Sequence, residues 1–218
     1  MTTQQPLEGA NACMMDMYVI NYPSLDGFYF TEKGEKLMKN DSVKKVVATG
    51  IGAALFFVLA RFVAIPTGIP NTNFALQYAV QAVFAVLYGP VVGCLSGFIG
   101  HVLTDMSWGG VWWSWVAGTA VYGLIVGLFA KKINVQDGNF GKSEIITFVV
   151  ANLIANLVAW PVVAALGDIV IYKEPASLVV SQLAVAAAVD FVLAVVLGGL
   201  LLFGYAKTIA KSGSLDKE

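Results

Sequence analysis

The sequence predicts an all-α integral membrane protein with six transmembrane helices and both termini in the cytoplasm. Three observations carry this reading. First, 58% of the 218 residues are hydrophobic and only 12% charged, with a mean hydropathy of +0.75. A soluble domain carries about 25% charged residues, and half that charge does not cover a water-facing surface. Second, the charges are segregated: most lie in the first 45 residues or the last dozen. Third, the stretch between them divides into apolar runs, several close to the ~20 residues that cross a bilayer core. Together these exclude an ordinary soluble enzyme, a disordered chain and a charged scaffold. The formal net charge of −1 leaves no basic patch for nucleic acid.

Residues 1–43 read as a polar N-terminal cytoplasmic extension. It lacks the basic start and long apolar stretch of a signal peptide. Its aromatic middle, MMDMYVINYPSLDGFYF, is broken by Pro23 and Gly27, which suits a loose extension or a short surface element, with a lid as the alternative. Residues 44–206 form the membrane domain, with helices predicted over 46–65, 74–88 (starting near Asn71), 90–104, 111–130, 144–170 and 176–205. Pro90 suits a helix start, where its missing N–H costs nothing. The second and third helices are short, and a re-entrant hairpin would preserve the same parity. Residues 207–218 form a cytoplasmic tail.

Six crossings put both termini on one side. Eleven lysines then fall on that side, among them Lys44, Lys45, Lys131, Lys132 and Lys207, while Lys173 alone falls on the other. The positive-inside rule makes the lysine-rich side cytoplasmic. Connections 66–73, 105–110 and 171–175 then face outside.

Small residues recur at four-residue spacing in the first helix: Ala48 with Gly52, and Gly50 with Ala54. Such faces let a second helix approach closely, either within the chain or on a partner. In the third helix Gly93, Gly97, His101 and Asp105 follow the same spacing, a packing stripe whose outer half turns polar. Polar groups at depth face a cavity, a partner or water. Arg61 either snorkels outward, pairs with Asp105 or Asp168, or meets a ligand. Asn152, Asn156 and Trp160 climb one face of the fifth helix, as interhelical glue or ligand contacts. Asp190, Gln77, Gln81 and Gln182 are further deep polar groups. DMSWGGVWWSW, from Asp105, holds four of the five tryptophans. That density exceeds what interfacial anchoring requires and suits the mouth of a cavity for a large, mostly apolar ligand with amide edges.

Chemistry beyond binding has little support. His101 is the single histidine, too few for a zinc site. Ser96 lies off the face of His101, with no nucleophile elbow. A phosphate-binding loop for ATP is absent. No catalytic residue, metal ligand or intrinsic cofactor is expected.

GIGAALFFVLARFVAIPTGIPNTNFALQY and YGPVVGCLSGFIGHVLTDMSWGGVWWSW closely resemble the S components of energy-coupling factor (ECF) transporters, an ABC transporter class, over residues 44–205. They look most like the cobalamin-associated subgroup. The resemblance implies a non-catalytic, six-helix S-component bundle in a bacterial cell membrane. It would bind vitamin B12 or related corrinoids from outside and deliver them with a transmembrane coupling protein (T component) and two ATPase subunits. It places the coupling contact on Ala48, Gly50, Gly52 and Ala54. Expected substrate contacts are Arg61, Asn71, Asn73, His101, Trp112, Asn156 and Trp160. A thiamine or thiamine-precursor S component is the alternative substrate reading. A stand-alone carrier, proton-linked through Asp190, and a structural subunit without substrate are the alternatives of other classes.

Overall fold

The computed structural model describes residues 32–66, 68, 73, 74 and 76–215. The expectations placed on residues 1–31, the lid among them, lie outside these, as does Asn71. By contacts the chain divides into Met1–Lys39 and Asn40–Glu218. Apart from the first turns of α1, everything below concerns the second unit.

Six helices dominate. α1 spans Glu32–Phe62, α2 Gln77–Tyr88, α3 Pro90–Trp108 and α4 Trp113–Leu128. α5 runs as Lys142–Val158, a π-helical turn Ala159–Ala164 and Ala165–Val170. α6 runs as Ala176–Leu193, a π-helical turn Ala194–Gly198 and Gly199–Leu215. A minimal hairpin joins α1 to α2: β1, Ile65–Pro66, pairs antiparallel with β2, Asn73–Phe74. The helix predicted from Phe74 therefore starts at Gln77, because Phe74 is held in the hairpin opposite Ile65.

The architecture is an all-α, multi-pass membrane bundle. Four helical stretches among the described residues are long and apolar enough to cross a bilayer: Asp41–Phe62, Trp113–Lys132, Lys142–Val170 and Ala176–Ile209. The six expected from sequence are thus reduced to four on this criterion. At 12 residues α2 is roughly 18 Å long, well short of a hydrocarbon core of about 30 Å. α3 has the length, but its C-terminal half carries His101, Thr104 and Asp105. Large apolar side chains such as Ile51, Leu128, Leu166 and Leu200 are exposed on the outer surface, as suits helices solvated by lipid.

Local chemistry explains the breaks. Pro161 lacks an N–H and would clash with the preceding turn, and α5 widens into a π turn around it. Pro90 starts α3 directly after Gly89, which takes the left-handed φ of 92°. α3 and α4 meet backbone to backbone: a Cβ on Gly93 would lie 2.5 Å from the Gly123 carbonyl oxygen. Gly97 faces the side chain of Gln81, whose amide donates to Gly93 O at 2.9 Å and Thr119 O at 2.8 Å. The inner half of the small-residue stripe is thereby closed by packing. An aromatic core of Phe56, Tyr78, Tyr122, Phe148 and Trp160 fills the centre.

Candidate functional site

Beyond that closed half the helices part around a cavity of about 570 Å³. It opens at the Trp108–Gly110–Trp112 end of the bundle. A second hollow, of about 420 Å³, lies among Lys44, Lys45, Tyr88, Lys131 and Asp137. The first has the aromatic wall and buried polar groups of a ligand site.

One wall is organised by Asp168. A Cβ on Gly167 would lie 2.5 Å from that of Ser114, so glycine lets the end of α5 meet the start of α4. Asp168, 1% exposed, then receives Nε1–H of Trp112 at 2.7 Å on Oδ1 and Nε1–H of Trp115 at 2.8 Å on Oδ2. The Ser114 hydroxyl also donates to Oδ1. Three donors compensate the desolvation of a buried carboxylate and fix two indoles at the cavity wall. Trp112 is further stacked on Tyr172, with centroids 4.4 Å apart.

The opposite wall belongs to α3. His101 Nδ1 lies 2.6 Å from Thr119 Oγ1, and its Nε2 lies 3.5 Å from Asp105 Oδ1. Asp105 Oδ2 accepts the Trp112 backbone N–H at 2.9 Å, which ties the tryptophan connection to α3. Tyr78 OH reaches the same Thr119 hydroxyl at 3.1 Å. α6 contributes Leu178, Gln182, Ala186 and Asp190 to the lining, at four-residue steps along one face. Asp105, Asp168, Glu174 and Asp190 are the acidic side chains of the cavity lining, and no lysine or arginine stands among its described lining residues.

The expected substrate contacts divide. His101, Trp112 and Asn73 are brought together at the cavity. Arg61 stays off the wall, its guanidinium 4.1 Å from the ring centre of Trp108. Among the described residues it forms no ion pair with Asp105 or Asp168. Asn156 and Trp160 are buried behind the wall. Asn156 Nδ2 donates to Asn152 O at 2.9 Å, and Trp160 Nε1–H to Asn156 Oδ1 at 3.0 Å. Trp160 supports the wall through its edge contacts with Tyr78 and Trp115.

The four coupling candidates divide too. Ala48 and Gly52 are buried, and a Cβ on Gly52 would meet Ser96 at 2.9 Å and Phe84 at 3.0 Å. Gly50 and Ala54 are exposed. Sequence reasoning placed Trp115 in the aromatic mouth but missed the wall roles of Tyr78, Thr104 and Glu174. The four-residue spacing from Leu178 to Asp190 was the available signal for the α6 face.

Residues 40–207 match the family described as the ECF-type riboflavin transporter, S component. The chain is also 51% identical over 178 residues to a UPF0397 protein of Streptococcus gordonii, covering 81% of this chain and 95% of that one. It is 50% identical over 182 residues to UPF0397 proteins of Lactococcus lactis subsp. cremoris and Streptococcus agalactiae, covering 83% of this chain and all of theirs. The expectation of a cobalamin-associated subgroup is therefore corrected: the matched family is the riboflavin one. Cobalamin falls as the transported ligand, and the thiamine and proton-linked carrier alternatives fall with it. The physical cause of the error is plain. An aromatic mouth with amides selects for a large ring system but does not say which.

Proposed function

The chain belongs to the family of S components of ECF-type riboflavin transporters, a non-catalytic subunit family, and from that premise we propose that it captures riboflavin in the 570 Å³ cavity. The observation that carries the reading is the lining itself. Tyr78, Trp108, Trp112 and Trp115 offer faces and edges to a flat tricyclic ring. Asn73, Gln77, Thr104, Asp105 and Glu174 offer acceptors and donors to a polyhydroxyl chain. The volume lies within the ~300–1,000 Å³ of small-molecule pockets.

Delivery across the membrane rests on a transmembrane coupling protein and two ATPases, as in ECF transporters generally. The exposed Gly50–Ala54 face of α1 is the proposed coupling contact, since Ala48 and Gly52 are occupied within the chain. All six helices cross or line the membrane region with both termini cytoplasmic, a reading supported by the eleven-to-one lysine distribution. The cavity mouth then faces outside. A cysteine replacing Gly110 reacts with an impermeant thiol reagent in intact cells, while one replacing Asn134 reacts only after permeabilisation. The reverse pattern rejects the orientation.

The substrate reading is tested by titrating the purified chain into riboflavin and following flavin fluorescence. Saturable quenching near one flavin per chain is expected, undisturbed by excess thiamine or cobalamin. Absence of saturable quenching contradicts it.

A further inference from the structure

The lining residue farthest along α6 keeps an oxygen that the fold leaves unpaired among the described residues. Asp190 is 2% exposed, and its Oδ1 has no hydrogen-bond partner among the described residues. A buried polar atom left without a partner is costly. Asp190 also belongs to the cavity lining, so its environment is a place a ligand can reach. Counting at 1.5 Å per residue, it lies about 18 Å along α6 from Leu178. Phe56 on α1, Tyr78 on α2 and His101 on α3 also line this end, the Phe56 ring meeting Tyr78 edge to face at 5.5 Å and His101 at 5.9 Å. The floor is thus largely aromatic, the Tyr78 hydroxyl and His101 are engaged with Thr119, and Asp190 Oδ1 is the buried lining atom left without a partner among the described residues. The rim is different: Asn73, Gln77, Asp105 and Glu174 make it polar.

This asymmetry orients a ligand that has one flat apolar end and one hydroxylated end. We infer that Asp190 is the specificity-determining acceptor at the cavity floor, receiving the imide N3–H of a flavin ring that enters first, while the ribityl chain stays at the rim. The inference rests on the riboflavin reading above and adds the ligand's direction and the residue that reads its ring. The isoalloxazine has a single N–H donor in its neutral oxidised form, and that donor sits on the pyrimidine edge. A ring lacking this donor leaves the carboxylate buried without a partner, so discrimination arises from the site's own unmet hydrogen bond.

The test compares riboflavin with N3-methylriboflavin on the purified full chain, by fluorescence quenching, for the wild type and for Asp190→Leu and Asp190→Asn. The wild type is expected to bind the methylated ligand about ten- to a hundredfold more weakly. Asp190→Leu fills similar space without an acceptor, so it binds both ligands weakly and the preference collapses to about one. Asp190→Asn keeps a carbonyl acceptor and retains most of the preference. Equal wild-type affinity for both ligands overturns the inference and leaves the riboflavin reading standing. So does a preference that persists in Asp190→Leu, which would mark a steric effect of the methyl group. Failure of the wild type to bind riboflavin overturns both. If Asp190→Leu does not fold, Asp190→Ala takes its place, with the same collapse of the preference expected and its persistence overturning the inference.

Discussion

Two sets of polar side chains lie within this bundle, and they are treated in opposite ways. On α5 the set is closed. Tyr122 OH donates to Asn152 Oδ1 at 2.6 Å, Asn152 Nδ2 to Phe148 O at 2.8 Å, and Asn156 and Trp160 complete the ladder. Every step is satisfied by the chain, and Trp160 is wholly buried. Around the cavity closure is partial: Asp168 is met by three donors, but the rest is not all satisfied. Trp112 is 36% exposed, and Asp190 retains an unpartnered oxygen. The comparison teaches that depth does not separate structural from ligand-binding polar residues in a membrane bundle. Closure together with access to the cavity does: a satisfied ladder holds helices together, and an unpartnered oxygen at the lining awaits a guest, whereas Gln81 Oε1, also unpartnered, lies off the lining.

The comparison is broken most severely at the closed set. Trp160→Ala removes a fully buried indole that backs Tyr78 and Trp115. A loss of about 3–5 kcal/mol in unfolding free energy is expected, read as the denaturation midpoint in detergent. A loss below about 1 kcal/mol would show that the ladder does not hold the core. The two faces of α1 sharpen the same contrast at smaller scale. Gly52→Leu forces Ser96 and Phe84 apart and costs about 1–3 kcal/mol. Gly50→Leu meets nothing within 4 Å, so its stability stays within about 0.5 kcal/mol of wild type, while copurification with the coupling protein declines. Equal behaviour of the two variants would erase the distinction between the faces. The smallest effects belong to the open wall. Trp112→Ala is expected to weaken riboflavin binding about tenfold with a minor change in melting. Arg61→Ala removes contacts over Trp108 and Phe62, each worth about 0.5–1 kcal/mol at an exposed site, and leaves affinity within threefold. Titration of both variants checks the order, and a larger loss for Arg61→Ala would reverse the assignment of the wall.

Much of the fold was legible because it is local. Apolar runs located α4, α5 and α6, and Pro90 marked the start of α3. The start of α2 was not legible, because Phe74 is claimed by a hairpin whose other strand is eight or more residues away. The site was legible only where spacing along one helix sufficed, as for His101 and Asp105. Asp168 appeared in the sequence as a partner for Arg61. Its pairing with Trp112, Ser114 and Trp115 depends on contacts 53 to 56 residues apart, made possible by the close approach at Gly167. Asn156 and Trp160 had the spacing of a ligand face, yet a donor–acceptor match between neighbouring turns closed them. The vitamin was the least legible feature: indoles at a mouth signal an aromatic guest, and the resemblance led to the wrong subgroup.

Occupancy of this cavity by riboflavin is the step on which the proposed function depends. It is tested most directly by the rate at which a thiol reagent labels Ala64→Cys, at the cavity lining, with Cys13 and Cys94 replaced by serine. A saturating concentration of riboflavin is predicted to slow that labelling at least tenfold, and to leave a cysteine replacing Asn134 in the opposite hollow unaffected. Labelling of Ala64→Cys at the same rate with and without bound riboflavin would contradict the account.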